Sequence, residues 1–479
     1  MYFKKSRRNF LQVTGLGLGG LSVQSMLPGG GIMASVLAAD NPLKALEPHF
    51  PAKAKTVIWL HQSGAPSTLD LFDYKPDLIK LAGQGVPQSF LEGIKTSTQG
   101  GVTKLIATDR TWKQHGQSGA WFSDLMPNLA QHADDIAFIK SSVTIGATHD
   151  ISVLKLNTGS LNPGRPTLGS WIQYALGSAN PNLPGYVVLY DDTREPEGGV
   201  TNWSAGFLPA VYQGTPFRPG GTPILHLDNP EFLSKAQQRH SLDLLQRLNS
   251  NLDSHFPSDS ELEARAESYE LAYRMQETAP EAVDVSQESE ATREMYGLND
   301  ELSKGYGEQL LRARRLAERG VRFIQVVSGR TQVDGEMESW DAHVNIEENH
   351  SKHAHIVDKP IAGLLADLKA RGLLDSTLVV WTSEFGRSSW SESGNGRDHN
   401  PWGYTQWMAG GGVKAGYTHG STDAIGLQAE KGFEVDTYDI HATVLNQLGL
   451  NHQKLIYKHL GRSERPTVTY GKVIQELIG

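Results

Sequence analysis

Histidines and carboxylates recur in four short groups: Thr148-His149-Asp150, Trp340-Asp341-Ala342-His343, Ser383-Glu384-Phe385-Gly386-Arg387 and Gly396-Arg397-Asp398-His399. His61 stands apart, at the end of an apolar run. Neutral imidazole with ionised carboxylate is the donor set of a zinc, manganese or iron site, and an ion so held places positive charge where a phosphate or sulfate oxygen could bind. The expected metal ligands are His61, Asp341, His343, Glu384 and His399, with His149 as a further ligand or a catalytic group. Arg387 and Arg397 are expected to orient the anion, because a guanidinium fork matches a tetrahedral oxyanion. No HExxH-type spacing is present. Other candidates read as structural. His353 and His355, on one helix with His350, are expected at the surface, and His441 reads as a capping or packing residue. Gly410-Gly411-Gly412 lacks the strand-to-helix context of a phosphate loop and reads as a turn. Trp402, Tyr404 and Trp407 fit a cleft lining or a core equally well.

These groups follow segments that look like strands. Thr56-Val57-Ile58-Trp59-Leu60 is a buried strand with a Gly/Ser/Pro loop at its end, after which come Asp70 and Asp73. Strands are also expected at 135–139, 184–190, 322–327 and 378–382, and helices at 122–133, from His149 to Gly159, at 306–319 and at 347–371. Such alternation argues for an α/β fold, a three-layer sandwich with a mostly parallel central sheet, whose ligand sites lie beyond the carboxyl ends of the strands. Residues 233–300 read as a helical insertion, with Glu261, Glu263, Glu267 and Glu270 marking a solvated surface.

The amino-terminal stretch reads as a targeting segment. Ser6-Arg7-Arg8-Asn9-Phe10-Leu11 precedes a Gly- and Leu-rich run with no acidic residue before Asp40, the pattern of a twin-arginine export signal over residues 1–39, followed by a linker at 40–55 and a domain at 56–479. The expected location is therefore periplasmic or extracellular, with the twin-arginine translocase as a transient partner and no stable membrane span after cleavage. Loss of Lys4, Lys5, Arg7 and Arg8 takes the net charge from −9 to −13, which argues against nucleic acid as a partner. With no cysteine, thiolate metal sites, disulfides and a cysteine nucleophile are excluded.

Several blocks in order resemble a known family: Gly64-Ala65-Pro66-Ser67-Thr68-Leu69-Asp70-Leu71-Phe72-Asp73-Tyr74-Lys75-Pro76, Arg319-Gly320-Val321-Arg322-Phe323, Ser383-Glu384-Phe385-Gly386-Arg387 and Gly396-Arg397-Asp398-His399. They are similar to the exported bacterial DUF1501 (domain of unknown function 1501) proteins, often labelled sulfatase-like. That family looks like a branch of the alkaline phosphatase/sulfatase superfamily. The resemblance implies an alkaline phosphatase-like fold and metal-assisted attack on sulfate or phosphate esters. It also implies departures. Asn157-Thr158-Gly159 resembles the end of the superfamily's nucleophile helix, and counting back from it reaches His149, where the superfamily carries Ser, Thr or a formylglycine precursor. Glu384-Phe385 stands for an Asp-His pair, and His61-Gln62 for the first-strand aspartates. The expected function is a metal-dependent hydrolase of small-molecule or glycan sulfate or phosphate esters, using zinc, manganese, calcium or magnesium. A non-catalytic binding or assembly protein on the same fold, or a phospho- or sulfotransferase, is the alternative.

Overall fold

The computed structural model describes residues 43–94, 104–190, 198–219, 224, 227, 229–253, 260–328, 331–333 and 336–479. The expected export signal at residues 1–39 lies outside the described residues. Among the described residues nine strands form the central sheet: Thr56–Gln62 (β1), Ile136–Val143 (β2), Tyr186–Tyr190 (β3), Thr215–Phe217 (β4), Phe323–Ser328 (β5), Thr377–Thr382 (β6), Tyr404–Ala409 (β7), Thr418–His419 (β8) and Val435–Asp436 (β9). Their order is β8-β2-β7-β6-β1-β5-β3-β4, with β9 also paired to β2. Only the pairs made by β7 are antiparallel.

β1 is buried at all seven positions, as a parallel strand covered on both faces must be. Its side chains alternate, with Val57 and Trp59 in one apolar cluster and Ile58 and Leu60 in the other. Helices His149–Thr158 (α1) and Leu168–Leu176 (α2) cover the first face through Leu156, Trp171 and Ile172. The insertion contributes Lys235–Asp253 (α3) and Ser260–Val283 (α4), and it leads into Lys304–Glu318 (α5). Leu310 and Leu311 of α5, with Ile361, Leu364 and Leu365 of Ile346–Ala370 (α6), cover the second face. Thr437–Gln447 (α7) returns to the first with Ile440 and Val444. The result is a three-layer α/β sandwich around a mostly parallel sheet.

Buried arginines fasten the insertion to this frame. Arg315 donates to the Ala282 and Glu281 carbonyls at 3.1 and 2.6 Å, satisfying acceptors that the end of α4 leaves open. Arg314 meets Glu288, Glu318 and Asp367 at 2.8–2.9 Å. Glu270, expected on a solvated face, instead pairs with Arg239 of α3.

Two expectations differ from the structure. Residues 122–133 are not a helix: Ala120–Ser123 pairs with Trp112–His115 as a hairpin, and 3₁₀ turns over Leu129–Asp135 follow. Pro127, which lacks an N–H to donate, separates the two. His353 is not at the surface, since the helix turns it inward against Trp340, and only His355 is exposed, paired with Asp300 at 3.0 Å.

His353 and His441 together predict an acid response. Burial pushes both down to about 4, with Lys352 adding to the effect at His353, while His441 keeps a 2.8 Å bond to the Leu156 carbonyl. Histidines in the unfolded chain titrate at about 6.5, so the fold is favoured fully above that pH and loses stability as pH falls toward 4. Unfolding titrations in urea are expected to show this loss, amounting to roughly 3 kcal/mol for each histidine. His441→Asn should flatten part of the slope.

Candidate metal centre

The carboxyl ends of β1, β5 and β6 lie side by side, with His61 opposite Val327 and Thr382 in the sheet register. The chain leaves β1 through Gly64, whose φ is +95°; a Cβ there would stand 2.6 Å from the Asp341 nitrogen and 2.7 Å from the Trp340 nitrogen. Glycine is therefore required for the β1 loop to lie against the segment carrying Asp341. His149 is the first residue of α1, which ends at Gly159 in the left-handed conformation. The antiparallel β7 sends the chain from the end of β6 out through residues 383–403 and directly back, so Glu384, Arg387, Arg397, Asp398 and His399 all come from one excursion above the sheet.

Four of the expected residues converge. His399 Nε2 lies 3.1 Å from His149 Nε2 and 3.0 Å from His343 Nε2. Asp341 Oδ1 is 3.4 Å from His399 Nε2 and 3.3 Å from His343 Nε2, and Asp341 Oδ2 is 3.3 Å from His149 Nε2. The opposite nitrogen of each ring faces a fixed acceptor. His149 Nδ1 meets Glu384 Oε1 at 2.7 Å, His343 Nδ1 meets Asp398 Oδ1 at 3.1 Å, and His399 Nδ1 meets the Ala147 carbonyl at 2.6 Å. The three Nε2 atoms thus face one another and a carboxylate. Protons on His149 and His343, or a cation in their place, satisfy the group.

The electrostatics agree. Burial opposes the charge on Asp341, but the Arg387 guanidinium and hydrogen bonds from His149, His343 and His399 hold it well below the usual carboxylate range. Burial likewise opposes Glu384, and its bonds to His149 and His61 lower it. His149 is pushed up to about 9 by Asp341 and Glu384 against its burial, and His343 to about 9 by Asp341 and Asp398. Burial dominates at His399 and lowers it. The cluster thus favours positive charge, and an ion bound here would displace protons from His149 and His343.

The other expected ligands stand behind this group. Glu384 is buried with Oε1 taken by His149 and the Gly64 N–H, at 2.7 and 2.9 Å, and Oε2 by His61 Nε2 at 3.2 Å. His61 faces Glu384, and its Nδ1 is buried with no partner among the described residues. Arg387 is buried, donating to Asp341 Oδ1 at 2.6 Å, to the Ala65 carbonyl at 2.8 Å and to the Gly64 carbonyl. Arg397 does not face the cluster: its fork is closed on Asp70 at 2.7 and 3.2 Å, with both side chains buried. Phe385 packs on the His149 and His399 rings at centroid distances of 4.9 and 4.5 Å. Asp398, to which the sequence reading gave no role, was signalled by its place next to His399 in the same block.

Glu384 is thereby a positioning residue, and Glu384→Gln keeps its shape while removing one acceptor. If the cluster holds a metal through His149, affinity for added zinc, read by chelator competition, is expected to fall about 10- to 100-fold, the usual cost of losing an outer partner of a ligating histidine.

Residues 54–478 match the family described as "Protein of unknown function (DUF1501)". The chain belongs to that family. No curated protein matches this DUF1501 sequence. Among solved structures it is similar to an alkaline phosphatase from the Antarctic bacterium TAB5, at 12% identity and a TM-score of 0.34 over 83% of this chain and 98% of that one. It is also similar to the PsFucS1 sulfatase from Pseudoalteromonas sp., at 15% identity and a TM-score of 0.34 over 82% and 68%. A third is the phosphonate monoester hydrolase SpPMH from Silicibacter pomeroyi, at 12% identity and a TM-score of 0.34 over 73% and 71%. At that distance the likeness says nothing of the chemistry. Among the described residues, no helix of this family member is long and apolar enough to cross a membrane.

Proposed function

We propose that this DUF1501 chain is an exported, metal-dependent hydrolase of sulfate or phosphate esters. The supporting observation is the set of three histidines, each with Nδ1 engaged and Nε2 turned toward Asp341. Four donors about 2.0–2.1 Å from a tetrahedral zinc ion stand roughly 3.3–3.4 Å from one another. The separations of 3.1–3.4 Å among His149, His399 and Asp341 fit that spacing, so these three would hold the ion, with His343 beside them at 3.0 Å from His399. Three imidazoles favour zinc or a similar transition metal over calcium or magnesium, which prefer oxygen donors. When bound, such an ion supplies Lewis acidity toward an ester oxygen.

The protein's own groups orient the site. Glu384, Asp398 and the Ala147 carbonyl fix the rings, and Arg387 holds Asp341 in place while lowering the charge that an anionic substrate meets. No Ser, Thr or Cys stands at the first position of α1, where His149 is engaged as a donor, so the reading assigns the attack to water. Export rests on the twin-arginine pattern of residues 1–39.

The test is elemental analysis of the folded protein purified from its native compartment, paired with hydrolysis of p-nitrophenyl phosphate and p-nitrophenyl sulfate. One equivalent of a transition metal and chelator-sensitive turnover of either ester is the expected outcome. Folded protein that takes up no metal and turns over neither ester would overturn the proposal and leave a binding role on this fold.

A further inference from the structure

Two short strands, Tyr457–His459 and Arg462–Glu464, pair as a hairpin outside the central sheet. Its last paired residues are His459 and Arg462, so Leu460 and Gly461 alone make the turn. Both have positive φ, +46° and +78°. That is the type I′ geometry, for which Asn-Gly or Gly-Gly is the natural pair and a leucine is strained. Leu460 is also 88% exposed. A bulky apolar side chain thus stands in water at a position where asparagine would relieve both the strain and the exposure.

The rest of the hairpin holds this tip rigid and surrounds it with positive charge. One face rests on the body of the protein. Phe207 stacks on Tyr457 and His459 at centroid distances of 6.0 and 4.9 Å, and Tyr174 meets Tyr457 at 5.7 Å. Arg165 donates to Glu464 at 2.8 Å and to the Arg465 carbonyl at 3.1 Å. Lys454, Ile456, Lys458 and Arg462 are exposed on the way to the tip and back. No Asp or Glu occurs between Asp439 and Glu464, and Glu464 is paired with Arg165, although the whole chain carries a net charge of −9. An apolar tip in a basic collar complements a surface that is anionic outside and apolar beneath, which describes a bilayer with acidic headgroups.

We propose that the 457–464 hairpin docks the protein reversibly on an anionic bilayer, with Leu460 entering the headgroup boundary and Lys454, Lys458 and Arg462 meeting headgroup phosphates. The hairpin lies by the carboxyl end of α1, since the Pro466 carbonyl stands 3.5 Å from where a Cβ would be at Gly159, whereas His149 opens that helix. Docking therefore keeps the histidine cluster about 15 Å away along α1. The inference does not rest on the metal reading.

The test uses the folded protein from its native compartment; the chain has no cysteine, so a single Leu460→Cys can carry an environment-sensitive fluorophore. Vesicles of phosphatidylglycerol should shift its emission to the blue, and vesicles of phosphatidylcholine should not. The same dye at Ser118→Cys, in the hairpin that packs on the other face of the sheet, should stay unshifted with both. Without dye, Leu460→Asn should weaken sedimentation with phosphatidylglycerol vesicles at least about tenfold. It should also raise the urea midpoint, because asparagine tolerates the turn. Lys458→Gln with Arg462→Gln should weaken binding about fivefold for each charge removed and flatten its salt dependence. An unshifted dye at position 460, or Leu460→Asn binding as tightly as wild type, overturns the assignment and leaves a protein as the partner of the hairpin. A urea midpoint that falls in Leu460→Asn makes Leu460 a folding residue and overturns it as well.

Discussion

Replacing His399 with alanine is expected to lower zinc affinity by more than about a hundredfold, since loss of an outer partner alone costs 10- to 100-fold. Ester turnover should fall with it to the background rate. His399 is the residue to choose because its Nε2 lies 3.0–3.4 Å from donors on both other histidines and on Asp341. Folding should survive, because the substitution leaves Asp341 paired with Arg387, His149 and His343. Chelator competition reads the affinity, p-nitrophenyl ester hydrolysis reads the turnover, and circular dichroism reads the fold. A variant that keeps zinc as tightly as wild type would show that the three histidines do not form the site.

Arg397→Ala is the second large effect, and it acts on stability. Arg397 and Asp70 are both buried, and deleting one member of such a pair leaves the other uncompensated, at a cost of about 3–5 kcal/mol. The urea midpoint should fall accordingly. Arg397→Met combined with Asp70→Leu should recover much of the loss, because two apolar groups need no partner. A group that instead oriented the substrate anion would give the opposite result, an unchanged midpoint with a raised KM.

That contrast marks where the sequence was readable. β1, β5 and β6 announce themselves as short continuous apolar runs, and α1 by its stop at Gly159, so the frame and the strand ends could be located from pattern. The grouping of His149, Asp341, His343 and His399 follows from chemistry read at those ends. What pattern does not carry is direction. Arg387 and Arg397 stand in similar blocks, yet one reaches Asp341 and the other turns to Asp70, which lies more than three hundred positions earlier. Glu384 and His61 have the right chemistry, but they satisfy each other one layer behind the donors. The hairpin at 112–123 was missed because its pairing depends on a neighbour that period alone does not reveal, and His353 because one helix carries both a buried and an exposed histidine.

The excursion between β6 and β7 has a wider consequence. Its two ends are pinned side by side, with Val379 opposite Ala409 and Trp381 opposite Trp407. Lengthening or rewriting a loop whose anchors already touch costs little chain entropy, about 0.6 kcal/mol for each doubling. The excursion can therefore change length while still presenting His399, with Glu384, Arg387 and Asp398, to the groups carried by α1 and by the segment after β5.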